Sequence, residues 1–193
     1  SLVTGVQTCA LPILKKQEEV SIFDSEYLDE NLNSWRERWD LTNGGDIAQQ
    51  KFVSPSKYIF LLNYGRLYKD KSVLDHTEKT LDIIASSGLN DFVEGGFYRY
   101  TVEDEWKVPH FEKMLYDQAQ MISLYSKAFK IFQKESYKDV VDKTITFLKS
   151  KLSSGDNLFF AAMDADTDGE EGKYYSFKKD ELEEISRDRK SVV

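Results

Sequence analysis

The sequence predicts an all-α protein built from antiparallel helix pairs, with short β-hairpin insertions between them. Three observations carry this. Apolar residues recur at spacings of three and four over several separate stretches, which gathers them on one face of a helix. Those stretches come in pairs joined by short turns, the connection that sets neighbouring helices antiparallel. No strand–helix–strand alternation and no heptad repeat runs through the chain, which removes a parallel sheet and a coiled coil. Helical hairpins stack into a solenoid or into an α/α barrel. The chain carries no strict 34- or 40-residue repeat signature, which favours the barrel.

The first element is expected from Asp24 to Trp39, where Leu28, Leu32, Trp35 and Trp39 form one apolar stripe. Gly44 and Gly45 of LTNGGD then break it. The next helix is expected to start with Ser54 as N-cap and Pro55 in the first turn, and to run through Tyr58, Ile59, Leu61, Leu62 and Leu67 to about Lys69. Ser72 is expected to cap its partner, which carries Val73, Leu74, Thr77, Leu81 and Ile84 and ends near Gly88. Residues 91–109 lack a helical period, and GGFYRYTV reads as a short strand or an irregular loop. Pro109 is expected to open the longest helix, to about Phe132, on a stripe of Phe111, Leu115, Ile122, Tyr125, Phe129 and Phe132. Its partner runs from Glu135 to Leu152, and SSGD ends it. NLFFAAMDADTDGEEGKYYSF reads as two short strands around an acidic turn, and a further helix begins at Asp180.

The two ends match nothing between them. VTGVQTCALPI, Val3 to Ile13, is the direct translation of a widely used sequencing adapter, and DRKSVV, Asp188 to Val193, is that of its companion. The expected organisation is adapter-derived residues 1–13 and 188–193 around a natural, metagenomic-type fragment, 14–187. That fragment divides into a linker helix and loop (14–53) and helical hairpins (54–187). Segments of adapter type are set aside before targeting is read. The single cysteine, Cys9, falls in one, so no disulfide, thiolate nucleophile or cysteine metal site is expected elsewhere. A net charge of −8 without basic clusters argues against a nucleic-acid partner. No apolar run approaches the roughly 20 residues that span a bilayer. A cytoplasmic location is expected, with the natural N-terminus missing.

Three stretches carry candidate chemistry. His110 is expected at the start of the longest helix, where the N-terminal partial positive charge favours the neutral imidazole that a general base requires. Asp117 would share its face about 10 Å along the axis, too far for a dyad. The competing reading is a histidine bonded to loop backbone. In DADTDGEEG, Asp164, Asp166 and Asp168 fit the first half of a calcium loop, but its twelfth position is Tyr175, not glutamate. A solvated acidic turn, or one with Asp164 or Asp166 facing a pocket, fits better; no metal and no cofactor is expected. GGFYRYTVEDEW supplies Arg99, Tyr98, Tyr100 and Trp106, a set suited to a flat polar ligand and equally to packing over a barrel mouth.

GGFYRYTVEDEWKVPHFEKMLYDQAQ, together with AAMDADTDGEEGKYY, resembles the thioredoxin-domain-containing proteins of bacteria and animals, the spermatogenesis-associated type. The likeness runs from about Asp24 to Glu184. It rests on Gly95, Gly96, Arg99, Tyr100, Trp106, Pro109 to Lys113, Tyr116 and Asp117, and on Asp164 to Asp166 and Gly169 to Gly172. It departs where that family has a glycine-rich stretch ending in APKFP, since this chain has Gln49, Gln50 and Val53 there.

The resemblance implies an α/α barrel similar to N-acylglucosamine 2-epimerase and six-hairpin glycosidases, here as an incomplete toroid of the six-hairpin type. It also implies a thioredoxin-like domain in cis that is absent from this chain. The resemblance implies a small-sugar substrate class but no established reaction; the leading reading is an epimerase- or glycosidase-like enzyme. His110 and Asp164 are then the catalytic pair, Arg99 and Lys113 orient ring oxygens, and Tyr100 and Trp106 are stacking surfaces. Asp166 is an alternative second acid/base or a hydroxyl ligand, and Asp117, Glu170 and Glu171 are further substrate-binding candidates. The alternative is a non-enzymatic binding or structural scaffold for the thioredoxin-like domain.

Overall fold

The computed structural model describes the backbone of residues 25–190 and the side chains of residues 26–184. Residues 1–13 lie outside the described residues, and of 188–193 only the backbone of 188–190 is described. The chain divides into two compact units, one up to Arg38 and one from Trp39 onward. In the first, α1 spans Ser25–Arg36. Leu32 is buried, with Leu28 and Trp35 half-buried on the expected stripe. The helix stops short of Trp39, which opens the second unit and forms a β-bridge with Asp46.

The second unit is mostly helical. Its helices are α2 (Pro55–Leu67), α3 (Lys71–Ala85), α4 (Leu115–Phe132), α5 (Glu135–Phe147) and α6 (Lys179–Lys190). A π-helical turn, Leu148–Leu152, extends α5. The pairs α2–α3 and α4–α5 are the expected hairpins, and α2 also lies along α4. Gly65 allows the first pair to close up, since a Cβ there would stand 2.7 Å from Leu74 Cγ. Leu61, Leu62, Leu81, Ile84, Leu124 and Phe147 make the core. Each such side chain contributes on the order of 1.5–3 kcal/mol when buried. Two tyrosines tie the pairs together: Tyr125 Oη donates to Leu81 O (2.9 Å) and Tyr137 Oη to Asp82 Oδ1 (2.8 Å).

Several helix starts differ from expectation. Asp70, not Ser72, caps α3 by accepting from Val73 N, and the Ser72 hydroxyl donates to Asp70 instead. A carboxylate is the stronger acceptor, and it sits one residue ahead of the helix, where a cap belongs. Ser54 precedes α2 in the left-handed region (φ 51°) and its side chain caps nothing. The largest difference concerns Pro109, which does not open α4. Residues 109–114 are extended, and α4 begins at Leu115 behind an extended Met114. Their backbone groups pair with strands distant in sequence, which overrides the local signal of a proline at a helix start.

Those strands gather the insertions at one end of the hairpins. β1 (Lys51–Phe52), β2 (Tyr100–Thr101) and β3 (Pro109–His110) form an antiparallel sheet, Phe52 opposite Tyr100 and Tyr100 opposite His110. β4 (Lys113–Met114) pairs antiparallel with β5 (Ala162–Met163). β6 (Asp166–Thr167) and β7 (Glu170–Glu171) form a hairpin. Its central Asp168 (φ 55°) and Gly169 (φ 78°) are both left-handed, as a tight two-residue turn requires. The insertions before α2, α4 and α6 are thereby stitched together where α2 and α4 begin.

The insertions before α2 and α4 also repeat one device. Asp40-Leu-Thr-Asn-Gly44-Gly45 and Asp91-Phe-Val-Glu-Gly95-Gly96 share the pattern Asp-x-x-x-Gly-Gly. In each, one aspartate oxygen accepts from the backbone N–H two and three residues on. Both glycines are left-handed, with φ between 70° and 85°. In each, a buried lysine from a strand just before the following helix, α2 or α4, clasps the turn. Lys51 Nζ donates to Asp40 Oδ2 (2.6 Å) and Gly44 O (2.7 Å), and Lys113 Nζ to Asp91 Oδ2 (2.6 Å) and Gly95 O (2.9 Å).

Candidate functional site

The sheet lays three rings in a row, because neighbouring strands put opposite residues on the same face. Phe52 stacks on Tyr100 (centroids 4.7 Å apart), and Tyr100 stacks on His110 (5.0 Å). His110 therefore sits on a strand, not at a helix start, and the helix-dipole argument for a neutral ring does not apply to it. Its Nδ1 lies 2.6 Å from Glu171 Oε1. A carboxylate only accepts, so Nδ1 carries the hydrogen, and in the neutral ring Nε2 is the acceptor. Nε2 faces Glu112 Oε2 at 3.9 Å, and the same oxygen accepts from Arg99 Nη1 at 3.0 Å. Glu171, His110, Glu112 and Arg99 form one line in which two carboxylates alternate with an imidazole and a guanidinium.

A cleft of about 230 Å³ opens beside this line, at the starts of α2 and α4. Phe52 to Pro55 form one wall, Phe97 to Arg99 another, and Tyr116, Asp117, Gln120 and Met121 of α4 the third. Asp117 is its one carboxylate. Burial pushes the carboxyl up from 3.8 to about 6; Arg99 opposes the rise and Glu112 adds to it. A carboxylate in a first helical turn is ordinarily favoured by the helix dipole, so desolvation prevails here. Asp117 Oδ2 is buried and has no hydrogen-bond partner among the described residues. Met121, four residues from Asp117, lies on the helical face its spacing gives it, and Gln120, three residues on, was not anticipated although it shares that spacing. Ser54 was expected only as a cap; its hydroxyl does no capping, and the residue lines the cleft.

Other expected site residues stand elsewhere. Lys113 is 0% exposed and is spent on the Asp91 turn, with its ammonium 4.8 Å from the Tyr98 ring centre and 4.4 Å from that of Phe147. It orients no ligand. Trp106 is also 0% exposed: its Nε1 donates to Asn43 O (2.9 Å), and its ring fills the space beside Gly45, where a Cβ would stand 2.8 Å away. It is the plug between the two insertions, not a stacking surface. Tyr100 has Phe52 and His110 as ring neighbours, which leaves the outward face of the stack to Phe52. Asp164, Asp166 and Glu170 are exposed on the β6–β7 side and do not line the cleft; Asp164 Oδ1 accepts from Asp166 N. Glu171 alone of that turn reaches His110.

The second histidine, His76 of α3, has a different place. It is 5% exposed and stacks flat on Trp39, with centroids 4.1 Å apart. Neither ring nitrogen has a hydrogen-bond partner among the described residues. Burial pushes it down to about 4, helped by Lys57. Among the described residues no group of histidine, cysteine and carboxylate is placed to hold a metal ion, and no helix is long and apolar enough to cross a membrane.

No family model matches the chain. It is similar to spermatogenesis-associated protein 20 of Homo sapiens, 37% identical over 159 residues, covering 77% of this chain and 20% of that protein. The Mus musculus protein of the same name is 36% identical over the same length. The chain thus spans about a fifth of the length of the curated relatives it matches. Among solved structures it is similar to a sugar epimerase from a ruminal bacterium, with TM-score 0.61 and 18% identity over 69% of this chain and 37% of that one. It is also similar to cellobiose 2-epimerase from Bacillus thermoamylovorans, with TM-score 0.60 and 14% identity over 72% and 40%. Both are α/α toroids. At such identities the likeness is one of fold.

Proposed function

We propose that the chain is part of a carbohydrate-handling α/α toroid of the six-hairpin type, and that the cleft at the starts of α2 and α4 transfers protons to and from a polyhydroxylated ligand. The observation that carries this is Asp117: an unpartnered carboxyl in a cleft, held at about 6 by burial. Such a group is populated as both acid and base near neutrality, which is the condition for general acid–base work. Arg99, on the cleft wall, is placed to hold an oxygen on which charge develops. His110, outside the cleft lining but joined to Arg99 through Glu112, has its Nδ1 hydrogen committed to Glu171 and is read as a second base. Asp164 is left outside this pair. Names of the structural neighbours support the substrate class, and an epimerase- or glycosidase-type reaction fits two proton-transfer groups. The parent protein in this reading carries a thioredoxin-like domain, with residues 14–187 as its partial barrel.

The test is turnover of reducing sugars and simple glycosides, followed by proton NMR for inversion at carbon 2 or release of the aglycone. Asp117→Asn is expected to reduce kcat by at least a hundredfold with KM little changed. Full activity in that variant, or none in the parent longer protein with any sugar, overturns the proposal.

A further inference from the structure

The Asp117 cleft is closed at its floor and open at its rim. Phe97 and Met121 form the floor and are buried. Phe52, Ser54, Arg99, Tyr116 and Gln120 form the rim, and all five are exposed to solvent. At about 230 Å³ the cleft falls below the roughly 300–1,000 Å³ of pockets for drug-sized ligands. It has room for one ring. Whatever is joined to that ring must lie across the rim.

Two rim residues carry aromatic rings, and they differ in support. Tyr116, in the first turn of α4, is 46% exposed and stacks on no other ring among the described residues. Phe52 is 54% exposed, yet its ring is held from behind. One face packs on Tyr100, Tyr100 packs on His110, and His110 is fixed by Glu171. β1 is the outer strand of its sheet, so no further strand covers the other face of Phe52. Cross-strand pairing accounts for the two inner contacts of this column. It leaves a flat apolar face, already ordered, beside a polar cleft. A side chain ordered in advance loses little rotamer freedom on binding, which favours Phe52 over Tyr116 as the surface that a ligand meets. A sugar ring suits such a face, because its C–H side is apolar while its hydroxyls stay at the edge in water. The one charged side chain on the rim is Arg99, which weighs against a cation there.

We propose that Phe52 is the platform for a second sugar unit, so that the preferred ligand is a disaccharide or longer chain with one unit in the Asp117 cleft and the next stacked on Phe52. This rests on the carbohydrate reading of the cleft. The test is calorimetric titration of the chain, which reads binding and needs no turnover. Methyl glucoside and methyl mannoside are compared with the 1,4-linked disaccharides of the same two sugars. At least one disaccharide is expected to bind about tenfold tighter than its single-unit glycoside. Phe52→Leu keeps an apolar side chain on β1 but removes the flat face. It should lower disaccharide affinity about tenfold and single-unit affinity by less than about threefold. Phe52→Tyr keeps the face and should keep the disaccharide advantage. A Phe52 that only stabilises the sheet would instead lower the melting temperature of Phe52→Leu and leave the ratio of the two affinities intact. No disaccharide advantage, or one that survives in Phe52→Leu, overturns the platform and leaves the reading of the cleft standing. Failure of every one of these sugars to bind overturns both.

Discussion

Replacing Lys113 with methionine is expected to destabilise the second unit by about 3–5 kcal/mol, the loss typical when one partner of a buried ion pair is removed. The ammonium is 0% exposed and makes charge-assisted hydrogen bonds to Asp91 Oδ2 at 2.6 Å and to Gly95 O at 2.9 Å. Methionine keeps the stem but leaves both acceptors without a donor in a place that water does not reach. Burial opposes ionisation of Asp91, yet the Lys113 ammonium and the N–H groups of Glu94 and Val93 hold its carboxyl below the ordinary 3.8. Without Lys113, the same burial pushes that carboxyl up. A raised folded-state value means stability present at low pH and lost as pH rises through it. The deficit of Lys113→Met should therefore be larger at pH 8 than at pH 5. At roughly 2–4 °C per kcal/mol for a chain of this size, the melting temperature falls by about 6–20 °C. Urea denaturation read by tryptophan fluorescence measures it. Adding Asp91→Asn to Lys113→Met should recover much of the loss, since the uncompensated charge is then gone. A loss under about 1 kcal/mol, or a double variant as unstable as the single one, would refute the clasp as a source of stability.

Three further outcomes are expected. His76, lowered from 6.5 to about 4, gives stability that is fully present above 6.5 and is lost as pH falls towards 4, by up to about 3 kcal/mol; His76→Phe should flatten that limb in denaturation at stepped pH, and an unchanged slope contradicts the assignment. Asp117 runs the other way over nearly the same range, its stability present below 3.8 and lost as pH rises through about 6. Asp117→Asn should accordingly stabilise the chain at pH 7 by about 1 kcal/mol, the partial exposure of the group having reduced the figure, and carbon NMR of the parent carboxyl should show its midpoint near 6. Gly45→Ala meets both a left-handed backbone (φ 76°) and the Trp106 ring at 2.8 Å, so it should lower stability by several kcal/mol, on the order of strain plus overpacking; a melting temperature within 2 °C of the parent's, roughly one kcal/mol at this size, would show that the ring can move aside.

The helices and their pairing were legible in the sequence because a buried face must repeat with the helical period whatever it packs against. Leu28 and Leu32 of α1, Leu81 and Ile84 of α3, and Tyr137, Val140 and Thr144 of α5 are half-buried or buried as that period requires. The Asp-Gly of the acidic hairpin was legible for a similar local reason, since its turn needs left-handed residues. The repeated Asp-x-x-x-Gly-Gly stands in the sequence, but at six residues it is too short to stand out against repeats the length of a helical hairpin. Its two lysines, Lys51 and Lys113, lie at unequal distances from their turns and give no common period.

Which strands pair, and that residues 109–114 are strand at all, required the tertiary structure. Residues 109–114 carry a local helix-start signal, and only hydrogen bonds to residues around 100 and 162, distant in sequence, hold them extended. That register moved His110 from a helix terminus onto a sheet and set it against Glu171, while Asp117 moved into a cleft without it. Burial likewise separated residues that look alike in sequence. Arg99 stands at the cleft, whereas Lys113 is locked in the interior; Phe52 offers a ring face, whereas Trp106 is enclosed. Sequence determines which side chains carry charge or a ring, because those are properties of single residues. Which of them meets solvent, a partner or a ligand is a property of packing between distant segments, and the tertiary structure alone decides it.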